Sequence, residues 1–245
     1  MAILSKRKRV DREKRVLREQ IKIEAGVLDR FTMEALARLM SQGIIQSLDF
    51  PVCRGKESVV FRATPHEEYP ADFLAVKIYN VENSNFKHMT EYIANDPRRF
   101  QVKKNRRKLV YEWVKKEYRN LLLCEEMGIL VPHPHAFRDN ILVMDFIGEE
   151  GAPAKTLKEH GPFNPLKDEQ FLLGEVEKMY KKGFVHADLS EYNILCAPDG
   201  RLYIIDLAQG VVKGHPLFER WHERDVQNIM RYFRPFEGST VQGKV

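Results

Sequence analysis

His186-Ala187-Asp188-Leu189-Ser190-Glu191-Tyr192-Asn193-Ile194-Leu195 is the stretch that decides how the chain reads. A carboxylate, Asp188, stands two residues after a histidine and five before a carboxamide, Asn193. This spacing lets one side chain take or orient a hydroxyl proton while an amide oxygen, one turn on, binds a metal ion. Thirteen residues beyond Asn193 comes Asp206, at the end of the apolar run Leu202-Tyr203-Ile204-Ile205. A lone Asp leaving a strand is more often a turn residue. Here a loop, a hairpin and a strand bring it back to where a second metal ligand is needed.

An Asp followed at five residues by Asn, with His two before, is the spacing of a kinase catalytic loop. Mg²⁺ suits such a pair, because it takes a few hard oxygens and fills its remaining positions with phosphate and water. Mn²⁺ is the alternative ion for the same ligands. Leu74-Ala75-Val76-Lys77 matches the kinase strand whose lysine pairs with nucleotide phosphates. Lys77 lies 22 residues after Gly55, in Cys53-Arg54-Gly55-Lys56-Glu57-Ser58-Val59-Val60. Against G-x-G-x-x-G-x-V, only the middle glycine and Val60 remain. Small residues still allow close approach of backbone to phosphate, and Lys56 or the Ser58 hydroxyl adds a contact. Without the downstream motifs this would read as an ordinary hairpin turn.

A kinase also needs a carboxylate to hold that lysine. Glu117 is the choice, in Lys115-Lys116-Glu117-Tyr118-Arg119-Asn120, with Glu112 as the alternative. Met144-Asp145-Phe146-Ile147 reads as the hinge, where backbone groups meet an adenine edge and apolar side chains, Ala75, Met144 and Ile147 among them, enclose the ring.

The 245 residues allow two small lobes, and 43% hydrophobic with 31% charged residues exclude a disordered chain. No stretch approaches the ~18 apolar residues of a membrane span, so no membrane partner is expected. Cys53, Cys124 and Cys196 form no CxxC pair, which fits a reduced, cytoplasmic protein. The net charge of +5 is a cancellation. Residues 1–24 carry +5 and residues 98–119 carry +8, leaving an acidic remainder. Two such blocks attract phosphate backbones, although each alone also reads as a solvated helix face.

Along the chain, residues 6–24 read as a charged helix, and Thr32 as the cap of a short helix ended by Gly43. Phe50–Val52, Ser58–Ala63 and Phe73–Tyr79 read as strands. Residues 81–97 read as a long polar loop, 105–127 as a helix, and Ile141–Phe146 as a buried strand. Asn164 and Pro165 open a helix that Gly183 ends, with Leu166, Phe171, Leu172, Val176, Met179 and Tyr180 on its apolar face. Ile194–Cys196 and Tyr203–Ile205 form a hairpin about Pro198-Asp199-Gly200, and a last helix falls near 219–233. The fold class is α+β, in two lobes with a cleft between them. The expected division is a basic helical extension over 1–45, an N-lobe over 46–147 with an insertion at about 81–105, and a C-lobe over 148–245.

Asp188-Leu189-Ser190-Glu191-Tyr192-Asn193, with Gly55-Lys56-Glu57-Ser58 and Ile205-Asp206-Leu207-Ala208-Gln209, resembles the RIO family of atypical protein kinases. Ordinary kinases usually carry Lys where Ser190 stands, and the Asp-Leu-Ala-Gln segment resembles the type-one branch. The resemblance covers roughly residues 45–235. It implies a protein-kinase-like fold with a trimmed C-lobe, Asp188 as catalytic aspartate, Asn193 and Asp206 on the metal, and Lys77 with Glu117 as an ion pair. It implies ATP and Mg²⁺ as cofactors and Ser/Thr phosphorylation of proteins, autophosphorylation included. It further implies a role in maturing the small ribosomal subunit, with rRNA as partner. ATP hydrolysis through a phospho-aspartate at Asp206 belongs to the same picture. Only 39 residues follow Asp206, without Asp-Phe-Gly or Ala-Pro-Glu, so no activation loop or peptide-docking subdomain is expected. Asp225 is expected to anchor the catalytic-loop backbone, where the plain alternative is a solvated helix residue. Two other readings compete, a small-molecule phosphotransferase and a nucleotide-gated RNA-binding module. Nothing in the residues fixes an oligomeric state.

Overall fold

The computed structural model describes residues 28–82, 84–98, 100 and 105–236. The helix expected at 6–24 lies outside them. Helix α1 (Arg30–Ser41) starts at Asp29, whose Oδ1 accepts from the Thr32 N–H at 2.8 Å and from the Thr32 hydroxyl at 2.9 Å. Asp29 is therefore the cap and Thr32 sits inside the helix, a correction of one turn. Ala35, Leu36, Leu39 and Met40 turn inward, and Gly43 at φ 76° closes the end. Strands β1 (Ile45–Arg54), β2 (Ser58–Pro65) and β3 (Leu74–Tyr79) follow. β1 is longer than expected because shifts of register on either side of Pro51 absorb a residue that has no N–H to donate.

The segment expected as a loop contains helix α2 (Phe86–Ala94). Met89, Tyr92 and Ile93 are buried at helical spacing, while Asn85 and Asn95 only flank it. The polar ends masked an amphipathic centre. Helix α3 (Arg106–Glu126) ends before Gly128 at φ 73°. β4 (Pro134–Arg138), hidden from the sequence by its Pro and His residues, pairs with β5 (Ile141–Asp145). Short strands β6 (Gly148–Glu149), β7 (Ala152–Pro153) and β8 (Lys155–Thr156) lead to α4 (Leu157–His160), capped by Thr156.

Helix α5 (Pro165–Lys181) is capped by Asn164, which accepts from the Lys167 N–H at 3.1 Å. Leu172, Val176 and Met179 face inward, but Leu166 and Phe171 are exposed, so the buried stripe is narrower than the apolar pattern suggests. β9 (Phe184–Val185), β10 (Ile194–Cys196), β11 (Leu202–Ile204), β12 (Val211–Val212) and α6 (Phe218–Phe233) complete the described chain. No helix among the described residues is long and apolar enough to cross a membrane.

The described residues form two compact units. The first holds α1, the start of α3, and an antiparallel five-stranded sheet in the order β1-β2-β3-β5-β4. One sheet face, with Val59, Phe61, Val76, Ile78 and Val143, packs against Leu36 and Leu39 of α1 as a single core. The second unit holds His88–Ala94 of α2, the rest of α3 and everything from Ile147 onward.

Candidate active site

In the first unit, strand registry gathers several expected site residues on one sheet face. Val60 pairs with Lys77 across β2 and β3, and Ala75 with Met144 across β3 and β5. Ala75 and Lys77 are two apart on β3, so all four side chains leave the sheet on the same side, opposite the α1 core. Lys77 is buried, with its ammonium 5.0 Å from the Tyr79 ring centroid. Gly55 and Lys56 occupy the turn between β1 and β2, and Ser58 begins β2. The Gly55 N–H donates to the Ser58 carbonyl at 2.8 Å, so this turn closes on itself. Its Glu57 carbonyl and carboxylate accept from the N–H groups of Asn80 and Asn85, tying the turn to the start of the insertion. Glu117 belongs to the second unit, as does Ile147, whose carbonyl accepts from Ala154. Lys77 belongs to the first unit.

In the second unit the loop carrying Asp188 is held by its backbone. Asp225 lies on the buried face of α6, between Trp221 and Ile229. Its two oxygens accept from the N–H groups of Ala187 at 2.8 Å and Leu189 at 3.0 Å. Arg224 donates to the Ala187 carbonyl, and Asn228 to the Leu189 carbonyl at 2.9 Å. Ala187 is thereby fixed at φ 66°, a left-handed conformation that costs an L-residue roughly 1–2 kcal/mol. Burial pushes the Asp225 carboxyl up to about 7, against the pull of the two N–H donors and of Arg224. Asp225 is an anchor for the loop, not a solvated residue.

His186 joins this loop to the residue before Asp206. Its Nε2 donates to the Ile205 carbonyl at 3.0 Å and its Nδ1 accepts from the Asp188 N–H at 3.3 Å, a pattern only the neutral Nε2–H tautomer satisfies. Asn193 donates from Nδ2 to the Asp188 carbonyl at 2.8 Å, which turns the amide oxygen into the group left for a cation. Asp206 is exposed and left-handed, at φ 61° and ψ 58°, heading the 3₁₀ turn Leu207–Gln209. Asp188 keeps a carboxylate whose pKa is raised, first by burial and then by the charge of Asp206, against Arg224, His88 and the Gln209 bond. No cluster of three or more His, Cys, Asp or Glu able to hold a metal exists among the described residues. A pair of hard oxygens from Asn193 and Asp206 fits a cation that takes most of its ligands from phosphate and water.

Several residues that shape the site were not singled out for it in the sequence. Gln209 donates from Nε2 to Asp188 Oδ2 at 2.9 Å. Lys116, fully buried on α3, donates to the carbonyls of Ala208 and Gly210. Asn120, one turn on, donates to Leu207 O at 2.6 Å and Gly210 O at 3.0 Å, and accepts from Arg98 at 2.6 Å. The turn after Asp206 is therefore clamped from α3. The detectable signal was phase, since Leu109, Trp113, Lys116, Asn120 and Cys124 recur at helical spacing and all are buried. Not every basic residue between 98 and 119 faces solvent. Lys116 is internal, Arg98 is bound to Asp96 and Asn120, and Arg107 to Asp29.

The RIO domain family model matches residues 59–244. The chain belongs to the RIO family. This RIO-family chain is 38% identical over 226 residues to the RIO-type serine/threonine-protein kinase Rio1 of Methanocaldococcus jannaschii, covering 92% of this chain and 76% of that one. It is 36% identical over 225 residues to the Rio1 kinase of Haloferax volcanii, again covering 92% and 76%. With the human serine/threonine-protein kinase RIO1 it shares 34% over 212 residues, 84% of this chain and 37% of the human one. The RIO-family chain is accordingly an atypical kinase of protein-kinase-like fold in the type-one branch, and such kinases use ATP and a divalent metal ion.

Proposed function

We propose that this RIO-family kinase transfers the γ-phosphoryl group of ATP to Ser or Thr hydroxyls of proteins, itself included, or to water, during maturation of the small ribosomal subunit. The observation that carries the reading is the setting of Asp188. Its backbone is anchored through Ala187 and Leu189 by Asp225, and one carboxylate oxygen is taken by Gln209. The other oxygen is the one offered to an incoming hydroxyl, and the raised pKa makes this carboxylate a stronger proton acceptor. As the acceptor oxygen bonds to the γ-phosphorus, the bridging oxygen leaves with ADP and the hydroxyl proton passes to Asp188. Lys77 is assigned to the nucleotide phosphates and Glu117 to Lys77. Gly55, Lys56, Ser58 and Val60 are assigned to the phosphate loop, and Ala75, Met144 and Ile147 to the adenine. Asn193 and Asp206 would hold Mg²⁺, or Mn²⁺, which when bound offsets phosphate charge. The division into an extension over 1–45, an N-lobe over 46–147 and a C-lobe over 148–245, and a cytoplasmic site of action, complete the proposal.

The test is ATP turnover with and without purified small-subunit precursors, with phosphoproteins read in parallel. Asp188→Ala should abolish phosphoryl transfer while leaving ATP binding largely intact. Full activity of that variant would remove the catalytic assignment. A small-molecule phosphotransferase would turn over without any protein acceptor product.

A further inference from the structure

Helix α2, inside the segment that read as a loop, forms one wall of a groove whose other wall is α6. His88, Glu91 and Tyr92 line it from α2, and Leu217, Arg220, Trp221, Glu223, Arg224 and Gln227 from α6 and the residue before it. Its volume is about 560 Å³. That lies within the ~300–1,000 Å³ of clefts that hold ligands.

The groove is built, not incidental. Tyr92 stacks on Trp221 with centroids 4.5 Å apart and planes at 14°, and His215 stacks on the same indole at 4.8 Å. His88 meets Tyr92 edge-on at 4.9 Å. These contacts fix α2 against α6 by aromatic packing.

One wall of the groove touches the loop that carries Asp188. Arg224, a wall residue, donates to the Ala187 carbonyl, and its neighbour Asp225 holds the N–H groups on either side of Asp188. His88 and Arg224 both act electrostatically on the Asp188 carboxylate. A chain lying in the groove therefore runs up to the residue that receives the acceptor's proton. The walls are charged unevenly. Arg224 and His88 stand at the Asp188 end, and Arg220, exposed, is one helical turn before Arg224. Glu91 and Glu223 offset part of this charge, and the exposed Arg220 is the cation offered to an acidic neighbour of the acceptor.

We propose that the groove between α2 and α6 seats an extended Ser- or Thr-bearing segment of the protein acceptor, its hydroxyl at Asp188 and an acidic neighbour at Arg220. The inference rests on the protein-phosphorylating reading above and names the surface that selects the substrate. α2 and α6 then supply the peptide-docking role for which the segment after Asp206 has little else. Between Asp206 and Phe236 the chain holds two 3₁₀ turns, the two residues of β12, and α6.

The experiment is phosphorylation of a Ser-peptide library, randomised on both sides of the serine, by the full chain and by Arg220→Glu and Gln227→Trp. Nucleotide KM is measured alongside. The wild-type chain should favour Asp or Glu beside the serine several-fold, and Arg220→Glu should shift that preference toward Lys and Arg. Gln227→Trp, which fills the groove, should raise the peptide KM at least tenfold while nucleotide KM moves less than twofold. Peptides phosphorylated with the same preference and KM by all three chains would overturn the groove and leave the kinase reading standing. Asp188-dependent ATP hydrolysis with no peptide or protein phosphorylated would overturn the transfer reading and the groove together.

Discussion

Gln209 Nε2 donates to Asp188 Oδ2 at 2.9 Å, a bond from the turn after Asp206 back to the carboxylate proposed as catalytic. It holds the carboxylate in one rotamer and favours its charged form. Removing a charge-assisted bond of this kind costs about 1.5–3 kcal/mol.

Gln209→Ala should therefore lower kcat by about tenfold or more, with nucleotide affinity retained. The pH profile supplies a second reading. Without the amide, the already raised pKa of Asp188 goes up further, so the acidic limb of kcat moves to higher pH. A limb that stays in place would mean the bond does not act on Asp188.

Gly210 illustrates the packing that holds the same turn. A Cβ there would lie 2.3 Å from Phe184 Cζ, 2.9 Å from Cε2 and 3.1 Å from Asn120 Nδ2. Its φ of −53° suits any residue, so the demand is for space alone. Gly210→Ala should cost about 1–3 kcal/mol by overpacking and lower Tm by several degrees. Pairing it with Phe184→Leu should recover part of the loss. Purely additive effects in calorimetry would show that the ring is not the obstacle.

The Lys77 strand, the helix at Arg106–Glu126 and the caps at Asn164 and Gly43 were legible because each is local. Spacing or a special backbone residue marks it within a few positions. Asp225 was legible as an anchor only through the family resemblance, since 36 residues separate it from Leu189. What stayed hidden is long-range or disguised by composition. Lys116 and Asn120 reach carbonyls about 90 residues away, and their charge and polarity argued for solvent. Helix α2 was hidden by the asparagines around it. Leu166 and Phe171 looked like core because amphipathic phase gives direction but not the width of the buried stripe.

Asp206 combines a left-handed backbone with a charge, and one substitution can separate the two. Asp206→Asn keeps a side chain that tolerates φ 61° and removes the charge. Divalent-dependent nucleotide binding should fall, and any hydroxylamine-labile phosphoprotein formed with ATP should vanish. The Asp188 pKa should drop as well, because Asp206 is the second cause holding it up. Label that persists in the Asn variant would place the phosphoryl group elsewhere.

The basic segments can be tested against the internal contacts found here. Lys108 and Arg119 remain exposed, while Lys116 is buried. Binding to small-subunit RNA should weaken steeply with salt, and Lys108→Ala with Arg119→Ala should each reduce the slope by about 1. A salt-independent affinity would exclude phosphate contacts as its source.

Lys116 has the clearest consequence for stability. Burial, then the like charge of Arg98, lowers its pKa from 10.5 to about 7, against Asp96 and Glu117. Between pH 7 and about 10.5 the unfolded chain holds this proton and the folded chain does not. The unfolded state then binds more protons, so unfolding free energy rises with pH across that window and is flat below it. The linked gain is on the order of a few kcal/mol. Lys116→Met keeps the length and apolar stem without the proton, and Asn120 continues to serve Leu207 O and Gly210 O. Urea unfolding of both chains from pH 6 to pH 10 reads the difference. The wild-type curve should climb relative to the Met variant above pH 7. Parallel curves would mean that Lys116 stays charged in the fold, its ammonium satisfied by the Ala208 and Gly210 carbonyls.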